Sequence, residues 1–164
     1  MTAGLKRWLI NAAAFAVLVG ADQAVKIWVR AAMAPGSRRD LIPHVLGLRH
    51  AVNDGGAFGI LSGWQPFLTV VSVLAIGGFL WFGRPMLQST FWLPRAALVL
   101  VLSGAAGNLI DRLLFGEVTD MFEFLFIRFA IFNVADAFLT VGVVMLVIYL
   151  LLFKEDTARS SRDV

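Results

Sequence analysis

The sequence contains no cysteine, which excludes disulfides, thiolate metal sites and a cysteine nucleophile together. Histidine is nearly absent as well. His44 and His50 are the only two, and their spacing matches no common zinc-ligand pattern. They read as ordinary surface histidines. No serine stands in a recognisable nucleophile turn, so a Ser-His-Asp triad has no support. Charge is scarce too, at 15% of residues against roughly a quarter in soluble domains. The 14 basic residues exceed the 11 acidic ones for a net charge of +3. They occur singly or in pairs, as in Lys6-Arg7 and Arg38-Arg39, and never in a dense run, so no nucleic-acid partner is expected. In a chain this apolar, isolated cations read as anchors at a membrane edge.

What the chain has in excess is apolar sequence, with 59% hydrophobic residues and a mean hydropathy of +0.81. That composition implies a polytopic membrane protein, mainly α, and a length of 164 residues implies one domain. A spanning helix needs about 20 mostly apolar residues. Four stretches qualify, at about 8–29, 66–83, 93–114 and 133–153. Pro66 opens the second, and Gly83, Arg84 and Pro85 close it. The first could pass for a secretory signal, but its apolar character resumes past Asp22 as "AVKIWV", so it reads as a span. An even number of spans puts both termini on one side. Cations divide almost evenly between the two sides, so charge counting gives little orientation.

Two connecting segments, 30–65 and 115–132, fall on the same side. The first is rich in Gly and Pro. In the second, Phe122, Phe124 and Phe126 alternate with Glu123, as in a strand lying at the membrane surface. A small β element outside the membrane is therefore expected. Residues 154–164 are polar and read as a disordered tail.

With so few charges, their placement is informative, because a carboxylate inside a membrane helix costs a few kcal/mol and is usually there for a function. Asp22 and Lys26 are spaced i,i+4 and read as a structural ion pair. In "SGAAGNLIDR" a run of small residues permits close helix approach. It is followed by Asn108, Asp111 and Arg112 on one helical face. Asn133 and Asp136 stand one turn apart at the start of the last span, and Asp120 precedes them in "EVTDMF". "NDGGAFG" brings Asn53 into a tight turn in which Gly55 allows close backbone approach to a ligand. In this topology all of these lie at one membrane face, which favours a single polar site there. A small four-span proton or ion transporter is the alternative. It requires polar residues at both faces and along a path between them, and inner halves such as "AAAFAVLV" and "VGVVMLVIYLLLF" offer none. A purely structural subunit leaves the clustered carboxylates unexplained.

Five blocks carry a more specific signal: "DQAVK" at 22–26, "NDGGAF" at 53–58, "GAAGNLIDR" at 104–112, "VTDMF" at 118–122 and "FNVAD" at 132–136. In this order, on four spans, the chain resembles bacterial lipoprotein signal peptidase (signal peptidase II), a membrane aspartic peptidase family. The resemblance implies an endopeptidase that cuts the signal peptide from a diacylglyceryl-modified prolipoprotein just before the lipidated cysteine. It assigns catalysis to Asp120 and Asp136. Asn53, Gly55, Asn108, Asp111, Arg112 and Asn133 then bind substrate or support the site, with Arg112 expected to pair with Asp111, and Asn108 and Asn133 to meet the substrate backbone. It further implies a monomer in the bacterial cytoplasmic membrane, surrounded by lipid, with cytoplasmic termini, an extracytoplasmic-facing site and no cofactor or metal. The fourth block departs from the family's more usual "VVDF", and the interval from Asp120 to Asp136 is somewhat short.

Overall fold

The computed structural model describes residues 1–55 and 63–153. The expected tail at 154–164 and the later part of the "NDGGAFG" turn lie outside the described residues. The chain opens with α1 (Ala3–Ala32), whose N-terminus is capped by the Thr2 hydroxyl accepting from Leu5 N. It continues through β1 (Arg38–Ile42), β2 (Leu46–Asn53), α2 (Gln65–Phe82), α3 (Arg84–Gln88), α4 (Trp92–Phe115), β3 (Val118–Phe124) and α5 (Val134–Leu152). Among the described residues, α1, α2, α4 and α5 are the four helices long and apolar enough to cross a membrane. The strands form one antiparallel sheet in the order β1-β2-β3. The fold is thus mainly α with a small sheet, as composition and patterning implied.

Exposure identifies the solvent this fold is built for. α2 buries none of its residues, and it presents Val70, Val73, Leu74 and Phe82 outward. An apolar surface of this extent is untenable in water and is the normal lipid face of a spanning helix. Trp8 and Trp28, both exposed, stand 20 residues apart on α1, a separation of about 30 Å that matches the hydrocarbon thickness of a bilayer. Interfacial tryptophans at that spacing mark the two membrane edges.

α4 is the central helix, half buried, and packs most extensively on α5, then on α1 and α2. Its small residues make that possible. A Cβ at Gly104 would collide with the Ala135 carbonyl, and one at Gly107 would sit 2.5 Å from the Asp22 carboxylate. Close approach of α4 and α5 therefore depends on the "SGAAG" run. Gly83-Arg84-Pro85, read from sequence as a stop, does end α2 but also opens α3, because proline in a first helical turn loses no hydrogen bond. Asn11 of α1 donates to Leu87 O at 2.9 Å and ties α3 to α1.

The sheet is fastened to the C-terminal end of α1 by Val29, Met33, Leu48 and Met121, all buried together. His50 reinforces this contact. It is buried, with its Nδ1 2.8 Å from Met33 O, so it is not the surface histidine expected from sequence. His44 is exposed, at the β1–β2 turn with φ of 61°. In β3, Val118 to Met121 are all buried; Met121 packs with Val29 and Met33 at the end of α1, while Val118 and Asp120 line a cavity. Glu123 and its cross-strand cations Arg38 and Arg49 (3.8 and 3.5 Å) form the outer face.

Candidate active site

A cavity of about 550 Å³ opens where β3, the first turns of α5 and the last turns of α4 converge. Asn53, Gly55, Asn108, Arg112, Asp120 and Asp136 line it, while Phe124, Phe129, Phe132, Leu139 and Val141 make most of the remaining wall apolar. The aromatic wall is self-supporting, since Phe132 packs 5.2 Å from Phe124 and 5.6 Å from Phe122 between ring centroids.

Asp136 is placed by a local rule. Asn133 is the N-cap of α5; its side-chain oxygen accepts from Asp136 N at 2.9 Å, and the Asp136 carboxylate accepts from Asn133 N at 3.1 Å. This reciprocal capping box fixes the Asp136 side chain at the helix entrance. Its other carboxylate oxygen accepts from Asn108 Nδ2 at 2.7 Å. The Asn108 orientation is set in turn from behind. Lys26 Nζ, which can only donate, holds the Asn108 oxygen at 2.9 Å, leaving the amide nitrogen for Asp136.

Asp120 lies in β3 and is buried. One carboxylate oxygen accepts from Asn133 Nδ2 at 2.6 Å, the other from Asn53 Nδ2 at 2.9 Å. Asn53 is held by its own turn, in which Gly55 N donates to the Asn53 oxygen at 3.0 Å. Burial pushes the Asp120 carboxyl up to about 6; the charge of Asp136 adds to the effect, and the two amide hydrogen bonds and Lys26 oppose it. Asn133 therefore joins the two aspartates, with its backbone N–H on Asp136 and its side chain on Asp120.

Behind this pair is a second cluster, turned away from the cavity. Asp22 and Lys26 form the expected ion pair at 3.0 Å, fully buried. Lys26 also reaches Asp111 at 3.6 Å, and Arg30 reaches it at 3.5 Å. Thr119 N and Gln23 Nε2 donate to the Asp111 carboxylate at 3.0 and 3.3 Å. Asp22 accepts from Ala135 N at 2.9 Å, so the cluster ties α1, α4, α5 and β3 together.

One expected contact is replaced by others. Arg112 does not pair with Asp111. Neighbours on a helix point about 100° apart, so Asp111 turns to α1 while Arg112 turns to the cavity, its buried Nε without a hydrogen-bond partner among the described residues. Asn133 is fully buried, with its amide hydrogen-bonded to Asp120, Asn108 and Asp136. Arg30 and Thr119 were missed by the sequence reading. Arg30 donates to the Thr119 hydroxyl at 2.8 Å, which gives the unusual threonine of "VTDMF" a partner. Its spacing of i+4 from Lys26 and i+8 from Asp22 was the available signal.

Comparison with known proteins accords with this geometry. A family model described as signal peptidase (SPase) II matches residues 14–152. A protein of Streptococcus pneumoniae named lipoprotein signal peptidase is 39% identical over 147 residues, covering 90% of this chain and 95% of its own. One of Streptococcus thermophilus with the same name is 43% identical over 143 residues, covering 87% and 92%. A solved bacterial membrane enzyme superposes with a TM-score of 0.81 at 33% identity, over 92% of this chain and 90% of that one. With the match spanning all four membrane helices and both aspartates, the chain belongs to the signal peptidase II family.

Proposed function

We propose that this protein removes the signal peptide from diacylglyceryl-modified prolipoproteins, cutting before the lipidated cysteine, with Asp120 and Asp136 as an acid–base pair and water as the nucleophile. The observation that carries the reading is the shared cavity, in which both carboxylates are held by amide donors beside an otherwise apolar wall. Two carboxylates at close quarters in low dielectric share one proton. Asp120, whose carboxyl burial raises to about 6, is the member that carries it below that pH. Asp136 takes a proton from the attacking water while Asp120 protonates the scissile carbonyl oxygen, giving a gem-diol. Asp136 then passes its proton to the leaving nitrogen, the C–N bond breaks, and Asp120 recovers its proton from the diol hydroxyl. No metal, cofactor or covalent intermediate enters this scheme.

The apolar wall suits the diacylglyceryl group, and seating it there would bring the adjacent peptide bond to the pair. Cytoplasmic termini in a bacterial inner membrane, a site facing outward, and a monomer complete the proposal. Purified protein in detergent should cleave a diacylglyceryl-modified prolipoprotein and spare its unlipidated form; equal cleavage of both would remove the lipid from the mechanism. Because the chain has no cysteine, single cysteines at Ser37 and Ser89 test orientation cleanly. A membrane-impermeant maleimide should label the first and not the second in spheroplasts.

A further inference from the structure

At the end of the molecule opposite the sheet, a second cavity of about 220 Å³ lies between the N-terminal halves of α1 and α4. It shares no lining residue with the aspartate cavity. Ala14 and Leu18 of α1 face Ala96 and Val99 of α4 along an apolar slot, and Asn11 and Arg95 are the polar residues that line it. Asn11 is occupied by its bond to Leu87 O. Arg95 is not: its buried Nε has no hydrogen-bond partner among the described residues, and the same holds for Nε of Arg7 and Nε2 of Gln88. Arg7 precedes Asn11 by one turn on the same face of α1, and Gln88 ends α3. Buried donors left without acceptors are costly, and these three, all at one end of the bundle, are open to an acceptor beyond the described residues.

Charge gives the acceptor its sign. Every described Asp and Glu, from Asp22 to Asp136, belongs to the sheet end, whereas Lys6, Arg7, Arg84 and Arg95 stand at the α3 end. Trp8, Trp81 and Trp92 are exposed there and mark the membrane edge. An apolar slot between two spanning helices that ends at the Arg95 guanidinium, its Nε unsatisfied among the described residues, is complementary to one class of molecule. We propose that the α1–α4 groove binds an anionic phospholipid, with an acyl chain between Ala14 and Ala96 and the phosphate on Arg95. Free phosphate would use the guanidinium but not the slot, and a zwitterionic lipid would fill the slot while bringing its own cation to an already cationic site.

Native mass spectrometry of the full chain in detergent decides the matter. Phosphatidylglycerol should be retained and phosphatidylcholine released, and excess inorganic phosphate should not displace the retained lipid. Arg95→Gln should weaken retention about tenfold, the loss expected for a charge-assisted hydrogen bond. Ala14→Leu should weaken it by filling the slot, and Arg95→Lys should keep the preference for phosphatidylglycerol. The two weakening variants alter different features, so misfolding of one leaves the other to decide. Equal retention of the two lipids, displacement by inorganic phosphate, or wild-type retention in a folded Arg95→Gln or Ala14→Leu protein overturns the proposal.

Discussion

Four aspartates, Asp22, Asp111, Asp120 and Asp136, meet where α1, α4, α5 and β3 converge, and they are held in two different ways. Asp22 and Asp111 are fully buried and face cations, Lys26 and Arg30. Asp120 and Asp136 face amides, from Asn53, Asn108 and Asn133. A cation gives a buried carboxylate its counter-charge, and removing either member leaves the other uncompensated, which makes the pair a structural tie. An amide orients a carboxylate without supplying a counter-charge, which suits a group that has to exchange a proton. One residue type thus does two jobs, and the partner decides which.

The comparison breaks most visibly by removing proton exchange from the amide-held pair. Asp120→Asn and Asp136→Asn keep side-chain volume and one acceptor oxygen, so each gives up one of the two hydrogen bonds its carboxylate accepts. Each should fold and insert yet lose turnover by about 10²–10⁴-fold, the range for a positioned acid or base. The double variant should be hardly worse than either single one, since the pair acts as a unit. Cleavage rates on matched folded protein check this, with Asp22→Asn as the control that affects stability more than chemistry. Substantial activity in either single variant removes that residue from the mechanism.

The cation-held pair should respond oppositely. Lys26→Met leaves two buried carboxylates short of their counter-charge, and breaking such a pair costs about 3–5 kcal/mol. The melting temperature in detergent should fall sharply, and Lys26→Met with Asp22→Asn should recover part of it, because the two are directly coupled. Activity should fall as well, since Asn108 loses the donor that sets its orientation toward Asp136. A melting temperature unchanged in Lys26→Met would erase the distinction between the pairs.

Much of this was legible in the sequence, for a physical reason: lipid solvent makes every polar residue inside a span conspicuous. The four spanning helices follow from hydropathy, and the Asp22–Lys26 pair from helical spacing. What escaped was settled by contacts distant in sequence or by direction. Hydropathy sees Arg84 and Pro85 as a boundary and cannot see that they begin α3. β1, "RRDLI", is exposed throughout, so no alternation betrays it. Arg30 looked like an edge anchor, yet it reaches Thr119, 89 positions away. Adjacency suggested pairing Arg112 with Asp111, where helix geometry turns them apart. The capping box was present as Asn-x-x-Asp ahead of an apolar run and could have been read.

Arg112 sharpens the comparison, being the cation that belongs to the cavity and not to the buried ties. Asp111 keeps Lys26, Arg30, Gln23 and Thr119 without it, so Arg112→Gln should leave the melting temperature close to wild type. Cleavage efficiency should drop about tenfold or more, as for loss of one charge-assisted hydrogen bond to substrate. A fall in stability equal to that of Lys26→Met would return Arg112 to the structural cluster.

The smallest effect concerns the proton on Asp120. With its carboxyl raised to about 6, Asp120 in the free protein is protonated below that value and ionised above it. If it delivers the proton, kcat/KM, which reports the free enzyme, should decline as pH rises through about 6. Asn53 donates to this carboxyl and favours its charged form, so Asn53→Ala should move the decline to higher pH, by up to about one unit for one neutral hydrogen bond. Stability follows the same proton. Below the ordinary value of 3.8 the group is protonated folded and unfolded; between 3.8 and about 6 only the unfolded chain gives up its proton. This group therefore lowers stability progressively as pH rises through that window, and the effect levels off above it. Rate profiles of wild type and Asn53→Ala between pH 4 and 9 are the measurement. A profile that rises through about 6, or an Asn53→Ala profile displaced to lower pH, would reverse the roles of the two aspartates.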